Sequence, residues 1–448
     1  MYAILHRALE FALDYLQTKD TRTVAPASKA IDDLRHFDQM LPEHGATENE
    51  VLDHLHKTGS PATVISNGGR YFGFVTGASL PVSTAANWLA AAWDQNCALD
   101  VMSPVAARLE SVVRRWMVDL LGLPPHTYSA FVTCTTMGTF TALAAARHVL
   151  LERQAWDIET KGLFGAPEIK ILLGAEAHIT VYRALRLLGF GSENITKVPV
   201  NTQGAMLAEA VQAIDSPTII CLQAGNVNSG AFDPFAEVCE RVAGKNVWVH
   251  VDGAFGLWAA VSAQYRHLTT GMELADSWST DGHKWLNLPY DSGVVFVKNR
   301  EHLRAAMTMQ AAYLRTKESS NAIDYSPEGS RRARAVDFWA GLKLLGKSGL
   351  AGLIERTCDH AKRFAHRLEE AGFEVLNDVV LNQVLVSFGS DEQTRKVIAR
   401  IQEDGTCWCG GTVWHGREAM RISVSSWQTT RDDVEKSAAA IIRITSEM

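Results

Sequence analysis

Four short runs constrain this chain most: Lys170–Leu173, Thr218–Leu222, Val247–Val251 and Gly293–Val297. Each is apolar and β-branched and ends in turn-forming residues, and stretches of helical pattern such as Val181–Leu188 and Ala205–Ile214 lie between them. Strands that are apolar on both faces need cover on both faces, and strands joined through helices pair in parallel. The pattern therefore predicts an α/β domain with a mostly parallel central sheet, beginning near about residue 130 and ending near about 300.

The flanks read differently. Leu5, Leu9, Ala12, Leu13 and Leu16 recur at helical spacing and give residues 1–20 one apolar stripe. Polar sequence with Pro26 and Pro42 follows, and Gly68-Gly69 opens a new region. Helices are expected over Ala85–Trp93 and Pro104–Leu121, with Pro104 in a first turn where its missing N–H costs nothing. A long helix over 337–370 should lead to strands at 373–377, 383–388, 411–414 and 420–425. A last helix runs from Arg431 to about Ile444, with Asp432 and Asp433 suiting its positive end. The expected organisation is an N-terminal helical segment (1–65), a large α/β domain (66–335) and a small C-terminal α+β domain (336–448).

Composition removes several classes of function. A formal charge of −7 disfavours a nucleic-acid partner. Seven cysteines (97, 134, 221, 239, 358, 407, 409) are odd and sparse for a chain of 448 residues, which excludes a disulfide scaffold and favours a reducing compartment. No apolar run is long enough to span a bilayer, so no membrane association is expected. Met-Tyr-Ala-Ile-Leu-His-Arg at the start lacks the basic-then-apolar order of a secretory signal. The expectation is a soluble, cytoplasmic protein. Cys407-Trp-Cys409 with His415 lacks the second ligand pair of a structural zinc site, so these residues read as strand packing and no metal is expected.

Two stretches carry chemistry. Val247-Trp-Val-His-Val-Asp252 is an apolar strand that ends in a carboxylate, followed by the small residues Gly253 and Ala254. In a parallel sheet ligands collect beyond the carboxyl ends of strands, and an Asp there seeks a cation such as a pyridinium nitrogen. It could equally cap the next helix. Asp281-Gly-His-Lys284-Trp-Leu-Asn precedes the strand Gly293–Val297 and puts a lysine in a turn beside a buried sheet. Burial makes a lysine amine nucleophilic, as Schiff-base chemistry requires; a solvated turn lysine is the alternative.

In combination these stretches resemble a known family. His250-Val-Asp-Gly-Ala-Phe-Gly, Asp281-Gly-His-Lys-Trp-Leu-Asn and Pro289-Tyr-Asp-Ser-Gly are similar to the group II amino-acid decarboxylases that depend on pyridoxal phosphate (PLP). The aromatic-amino-acid, tyrosine and glutamate decarboxylases belong to that family. The likeness runs from Gly69-Arg-Tyr-Phe-Gly-Phe to Met420-Arg-Ile-Ser-Val. It implies a fold-type I PLP-dependent transferase fold, a homodimer with the site at the subunit interface, and PLP as cofactor. By resemblance Lys284 forms the Schiff base, Asp252 pairs with the pyridine nitrogen, Ala254 lies under the ring and His178 stacks on its other face. Cys134, Thr135 and Thr136 fall on the phosphate-contacting positions, although the family's Gly pair and Glu are absent from Thr133-Cys-Thr-Thr-Met. His283 and Asn228 join the cofactor set. Asp281 stands outside it, because a carboxylate beside a phosphate is repulsive unless another donor holds its oxygens.

The implied reaction is decarboxylation of an L-amino acid to an amine and CO2. The family's proton donor is often a loop Tyr, which resemblance assigns to Tyr325 in a lid over 313–330. Tyr71 and Phe74 match an aromatic stretch that borders substrate in relatives, and Arg421 matches a residue that can meet a carboxylate. Aromatic walls favour an aromatic or large amino acid. In relatives, loss of the loop Tyr goes with oxidative deamination, so an aldehyde synthase stays open. So do an aminotransferase, a carbon–carbon lyase and a catalytically weak PLP-binding protein.

Overall fold

The computed structural model describes residues 2–211, 214–308 and 321–448. They gather into two compact units: Gly77–Asp359 with Asn377–Gln383, and Met1–Thr76 with His360–Leu376 and Val384–Met448. The sequence reading separates 1–65 from the C-terminal domain, whereas the first 76 residues and most of the C-terminal strands fall in one unit.

The larger unit is built on seven strands: β1 (Tyr128–Val132), β2 (Lys170–Gly174), β3 (Ile195–Val198), β4 (Thr218–Gln223), β5 (Val247–Asp252), β6 (Ser277–Asp281) and β7 (Gly293–Val297). Their order is β1-β7-β6-β5-β4-β2-β3. The pairs among β2 to β6 are all parallel, while β7 runs antiparallel to both its neighbours. β1 therefore points the same way as the parallel set. The carboxyl ends of β1, β2, β4, β5 and β6 share one edge of the sheet, where ligands are expected in this architecture. The expected mixed α/β fold with a mostly parallel sheet is present.

All four runs singled out in the sequence form strands. β6 escapes a hydropathy reading because Ser277-Trp-Ser-Thr-Asp is mostly polar, yet all five residues are buried. Its hydroxyls have partners inside: Ser277 Oγ accepts from Trp248 Nε1 (2.8 Å) and lies 2.9 Å from His250 Nδ1, and Ser279 Oγ lies 3.1 Å from Thr139 Oγ1. A polar strand can sit mid-sheet when its groups are satisfied this way.

The helix expected over Ala205–Ile214 does not form over residues 205–211, where the described residues hold a 3-10 turn at Ala208–Ala210. The amides of Ala205, Met206 and Leu207 bond instead to Asn201 Oδ1, Asp233 Oδ1 and Pro199 O, so they cannot feed a helical ladder. The long C-terminal helix spans Arg334–Glu370 but breaks at Gly346, whose φ of 59° only glycine adopts at little cost.

The smaller unit carries β8 (Glu374–Val375), β10 (Gly410–Trp414), β11 (Arg417–Ser423) and all but the first residue of β9 (Gln383–Ser387), in the order β10-β11-β9-β8. The segment before residue 77 is stitched to it. Phe72 N donates to Trp408 O (2.8 Å) and Phe72 O accepts from Ser423 N (2.9 Å). Among the described residues no helix is long and apolar enough to cross a membrane.

Candidate active site

The turn after β6 is fixed from several sides. Gly282 N donates to Ser292 O (2.6 Å) and Leu288 N to Gly282 O (3.0 Å). Asn287, with φ of 58°, accepts from Ala78 N on Oδ1 (2.9 Å) and donates from Nδ2 to Trp285 O (2.8 Å). Trp285 is fully buried and its Nε1 donates to Thr357 Oγ1 (2.9 Å). Gly77 lies so close that a Cβ there would fall 1.9 Å from Lys284 O. A rigid frame thus presents Lys284 at the sheet edge, as expected for a lysine with work to do.

Lys284 Nζ lies 3.2 Å from Asp281 Oδ2. Asp281 is 2% exposed, and its other oxygen accepts the Thr135 N–H at 2.6 Å. His283 is also buried; its Nδ1 accepts from Ser292 N (3.1 Å), which assigns the ring proton to Nε2, 3.7 Å from Asp281 Oδ1. Burial pushes the His283 imidazole below its ordinary pKa, against the pull of Asp281.

Asp252 ends β5, with Gln223 beside it on β4 and Ser279 on β6. Its Oδ1 accepts the Ala254 N–H (3.2 Å). Burial pushes its carboxyl up to about 6, while the nearby Lys284 charge pulls the other way. A buried carboxylate whose hydrogen bond among the described residues comes from a backbone donor has room for a cationic partner.

Beyond β1, Cys134 caps the helix Thr135–Glu152 through an extended backbone, with no capping bond from its side chain. The helix's first internal bond is Gly138 N to Cys134 O. The amides of Thr135, Thr136 and Met137 are thus its unpaired first-turn donors, and Asp281 takes the first. Thr135 Oγ1 is buried with no partner among the described residues. These are the donors a phosphate needs. Together with the Lys284 amine and the Asp252 carboxylate, the residues present fit PLP.

His178 follows β2 and caps the helix Ile179–Leu187, its Nδ1 2.7 Å from Thr180 Oγ1. Its loop is tied to the end of β4: Glu176 O accepts from Gln223 Nε2 (3.2 Å) and Asn226 Nδ2 (3.3 Å). Asn226 Oδ1 accepts the amides of Asn228 and Ser229, so Asn226 shapes the turn that holds the buried Asn228. Lys284, His283, Asp252, Ala254, Cys134, Thr135, Thr136, His178 and Asn228 therefore all lie at the carboxyl ends of strands on one edge.

The other expected residues are carried by other elements. Tyr325 packs its ring on Tyr128 (4.1 Å between centroids), and its hydroxyl accepts from Arg300 Nη2 (2.9 Å). Tyr128 begins β1, so Tyr325 sits at the opposite end of that strand from Cys134, and it is 1% exposed. Part of the expected lid, residues 313–320, lies outside the described residues. Tyr71, Phe74 and Arg421 belong to the smaller unit. There Tyr71 stacks on Trp408 (5.0 Å), and Phe74, 63% exposed, lies 5.4 Å from the same ring. Arg421 on β11 pairs with Gly410.

The sequence reading missed Gly77, Gln223 and the place of Asp281. Only Asp281 carried a signal, three residues before the lysine.

Comparison with known proteins agrees with this chemistry. The model of the pyridoxal-dependent decarboxylase conserved domain matches residues 31–389. Tryptophan decarboxylase 1 of Oryza sativa subsp. japonica is 26% identical over 99% of this chain and 93% of its own. Aromatic-L-amino-acid decarboxylase of Drosophila lebanonensis is 30% identical over 75% of this chain and 88% of its own. The crystal structure of Oryza sativa TDC with PLP and tryptamine superposes with a TM-score of 0.93 at 23% identity, covering 100% of this chain and 98% of that one, a likeness of fold. The chain belongs to the pyridoxal-dependent decarboxylase family and is a PLP-dependent carboxy-lyase.

Proposed function

We propose that this protein removes the α-carboxylate of an L-amino acid with an aromatic or large side chain, giving the amine and CO2. The observation that carries the reading is the convergence of Lys284, Asp252 and the open helix start at Thr135 on one sheet edge. Bound there, PLP would supply an electron sink for the pair left when a bond at the substrate α-carbon breaks. Lys284 is the nucleophilic amine for the cofactor and Asp252 the counter-charge for its ring nitrogen. Thr135, Thr136 and Cys134 cradle the phosphate. Ala254 and His178 bound the ring, with His283 and Asn228 beside them. The Thr180 hydroxyl steadies the His178 ring at Nδ1. Tyr71, Phe74 and Arg421 are the substrate-side residues on resemblance, and the aromatic preference rests on what the similar proteins are named for.

One observation favours a second reading. Tyr325, the expected proton donor, is bonded to Arg300 rather than gathered with Lys284. In relatives absence of that donor goes with oxidative deamination, so an aldehyde synthase is the alternative. A panel of the common L-amino acids, offered to the PLP-loaded protein, decides. Amine and CO2 in equal amounts are expected. Aldehyde with ammonia, or keto acid, from every substrate would overturn the reading.

The working unit is proposed to be a homodimer. The helix Tyr2–Thr18 buries none of its residues, and Tyr2, Leu5, Leu9, Leu13 and Leu16 are exposed along it. Such a stripe suits a second copy of the chain, and sedimentation analysis tests it. A cytoplasmic location is proposed from the seven cysteines, all free thiols.

A further inference from the structure

We propose that Asp281 is the resident counter-ion of the Lys284 nitrogen and sets the pH range over which that nitrogen keeps its proton once joined to the cofactor. The proposal rests on the reading of Lys284 as the cofactor lysine and goes beyond it.

Two features single Asp281 out. Its carboxylate is almost wholly removed from water, yet each oxygen has a close partner: Oδ1 the Thr135 N–H at 2.6 Å, Oδ2 the Lys284 Nζ at 3.2 Å. The Thr135 amide opens the 18-residue helix Thr135–Glu152, so the positive end of that helix faces the carboxylate. The chain is also held in place on both sides. Asp281 O accepts from Trp258 Nε1 (3.2 Å), and Gly282 N bonds to Ser292 O.

The expected conflict with a bound phosphate is limited, because Asp281 uses only the first amide of the helix. Thr136 N, Met137 N and the unpartnered Thr135 Oγ1 are left for the phosphate.

Other titratable groups face the lysine. Asp252 contributes a charge that acts on Lys284, but its hydrogen bond runs to Ala254 N, and its place at the end of β5 suits the ring nitrogen. His283 turns Nε2 toward Asp281 Oδ1 at 3.7 Å and competes for that oxygen, not for Oδ2. Asp281 is thus the carboxylate in ion-pair contact with Nζ. It is a positioning residue that acts through the lysine.

The test reads the absorbance of the PLP-loaded protein against pH. The protonated Schiff-base band should lose half its intensity at a pH about 1–3 units lower in Asp281→Asn than in the wild type, since an opposite charge at this range favours the protonated form by that much. Asp281→Glu, which keeps the charge, should stay near wild type. Asp281→Ser serves as the neutral variant should the Asn protein not fold. An unchanged or raised midpoint in the neutral variant overturns the proposal, as does an equal fall in Asp281→Glu. Lys284→Ala separates the two layers. If it keeps the band, the reading of Lys284 fails; if it loses the band while the neutral variant keeps the wild-type midpoint, only the counter-ion proposal fails.

Discussion

Gly77→Ala is the sharpest probe of how the lysine is held. An added Cβ would sit 1.9 Å from Lys284 O and 3.0 Å from Lys284 C, with Asn287 Cγ at 3.1 Å. Ordinary contact begins at 3.4 Å, so the backbone of one segment must retreat by roughly 1.5 Å. The obstacle is main chain on a turn pinned by Asn287 and Trp285, so no rotamer change relieves it. Overpacking of this kind costs about 1–3 kcal/mol of stability. The same displacement falls on the residue that carries the nucleophile. Misplacement by about 1 Å lowers rate by about 100-fold, equivalent to about 2.7 kcal/mol of transition-state stabilisation. Urea unfolding of the protein, PLP titration and turnover on the best substrate of the panel give the three readouts. A Gly77→Ala protein with wild-type stability, cofactor affinity and rate would refute the claim that close approach at Gly77 positions Lys284.

Asp252→Asn should move two quantities in opposite directions. The native carboxyl, pushed from 3.8 up to about 6, binds protons that the unfolded chain has already lost, so cofactor-free wild type loses stability as pH rises from about 4 to about 6. The full shift corresponds to about 3 kcal/mol. The amide variant should lack this loss and be the more stable protein at pH 7, while binding PLP more weakly; unfolding curves at pH 4 and pH 7 check the first part, and an unchanged pH dependence would refute it. Tyr325→Phe should cost about 1–2 kcal/mol through the lost bond to Arg300 and leave turnover within about twofold. A collapse of turnover at unchanged stability would instead return Tyr325 to the chemistry.

What could be read in advance followed physical range. β5 with its terminal Asp252 and the His283-Lys284-Trp285 turn were legible because each is a local pattern of strand, small residues and polar tip. β6 was not, since its serines make sense only beside Trp248 and His250 of the next strand. The failed helix at Ala205–Ile214 has the same origin: Asp233 claims the Met206 amide from a distant segment. Electrostatics alone puts Asp281 outside the phosphate set, because its donor at Thr135 lies far away in sequence. Tyr325 was assigned by likeness alone, and its packing on Tyr128 depends on contacts no motif encodes.

The antiparallel β7 between β1 and β6 has a consequence for timing. β1 lies at the edge of the sheet and, among the described residues, pairs with β7 alone, with Tyr128 opposite Val297 and Val132 opposite Gly293. During synthesis, β1 and the helix start it feeds must therefore wait for residues 293–297 to emerge, and β6 acquires its second neighbour at the same moment. Contacts so distant in sequence form slowly. The two halves of the cofactor pocket, the Thr135 amides and the Lys284 turn, are thus joined by one late closing event. A chain cut before Gly293 therefore lacks the strand that joins β1 to β6.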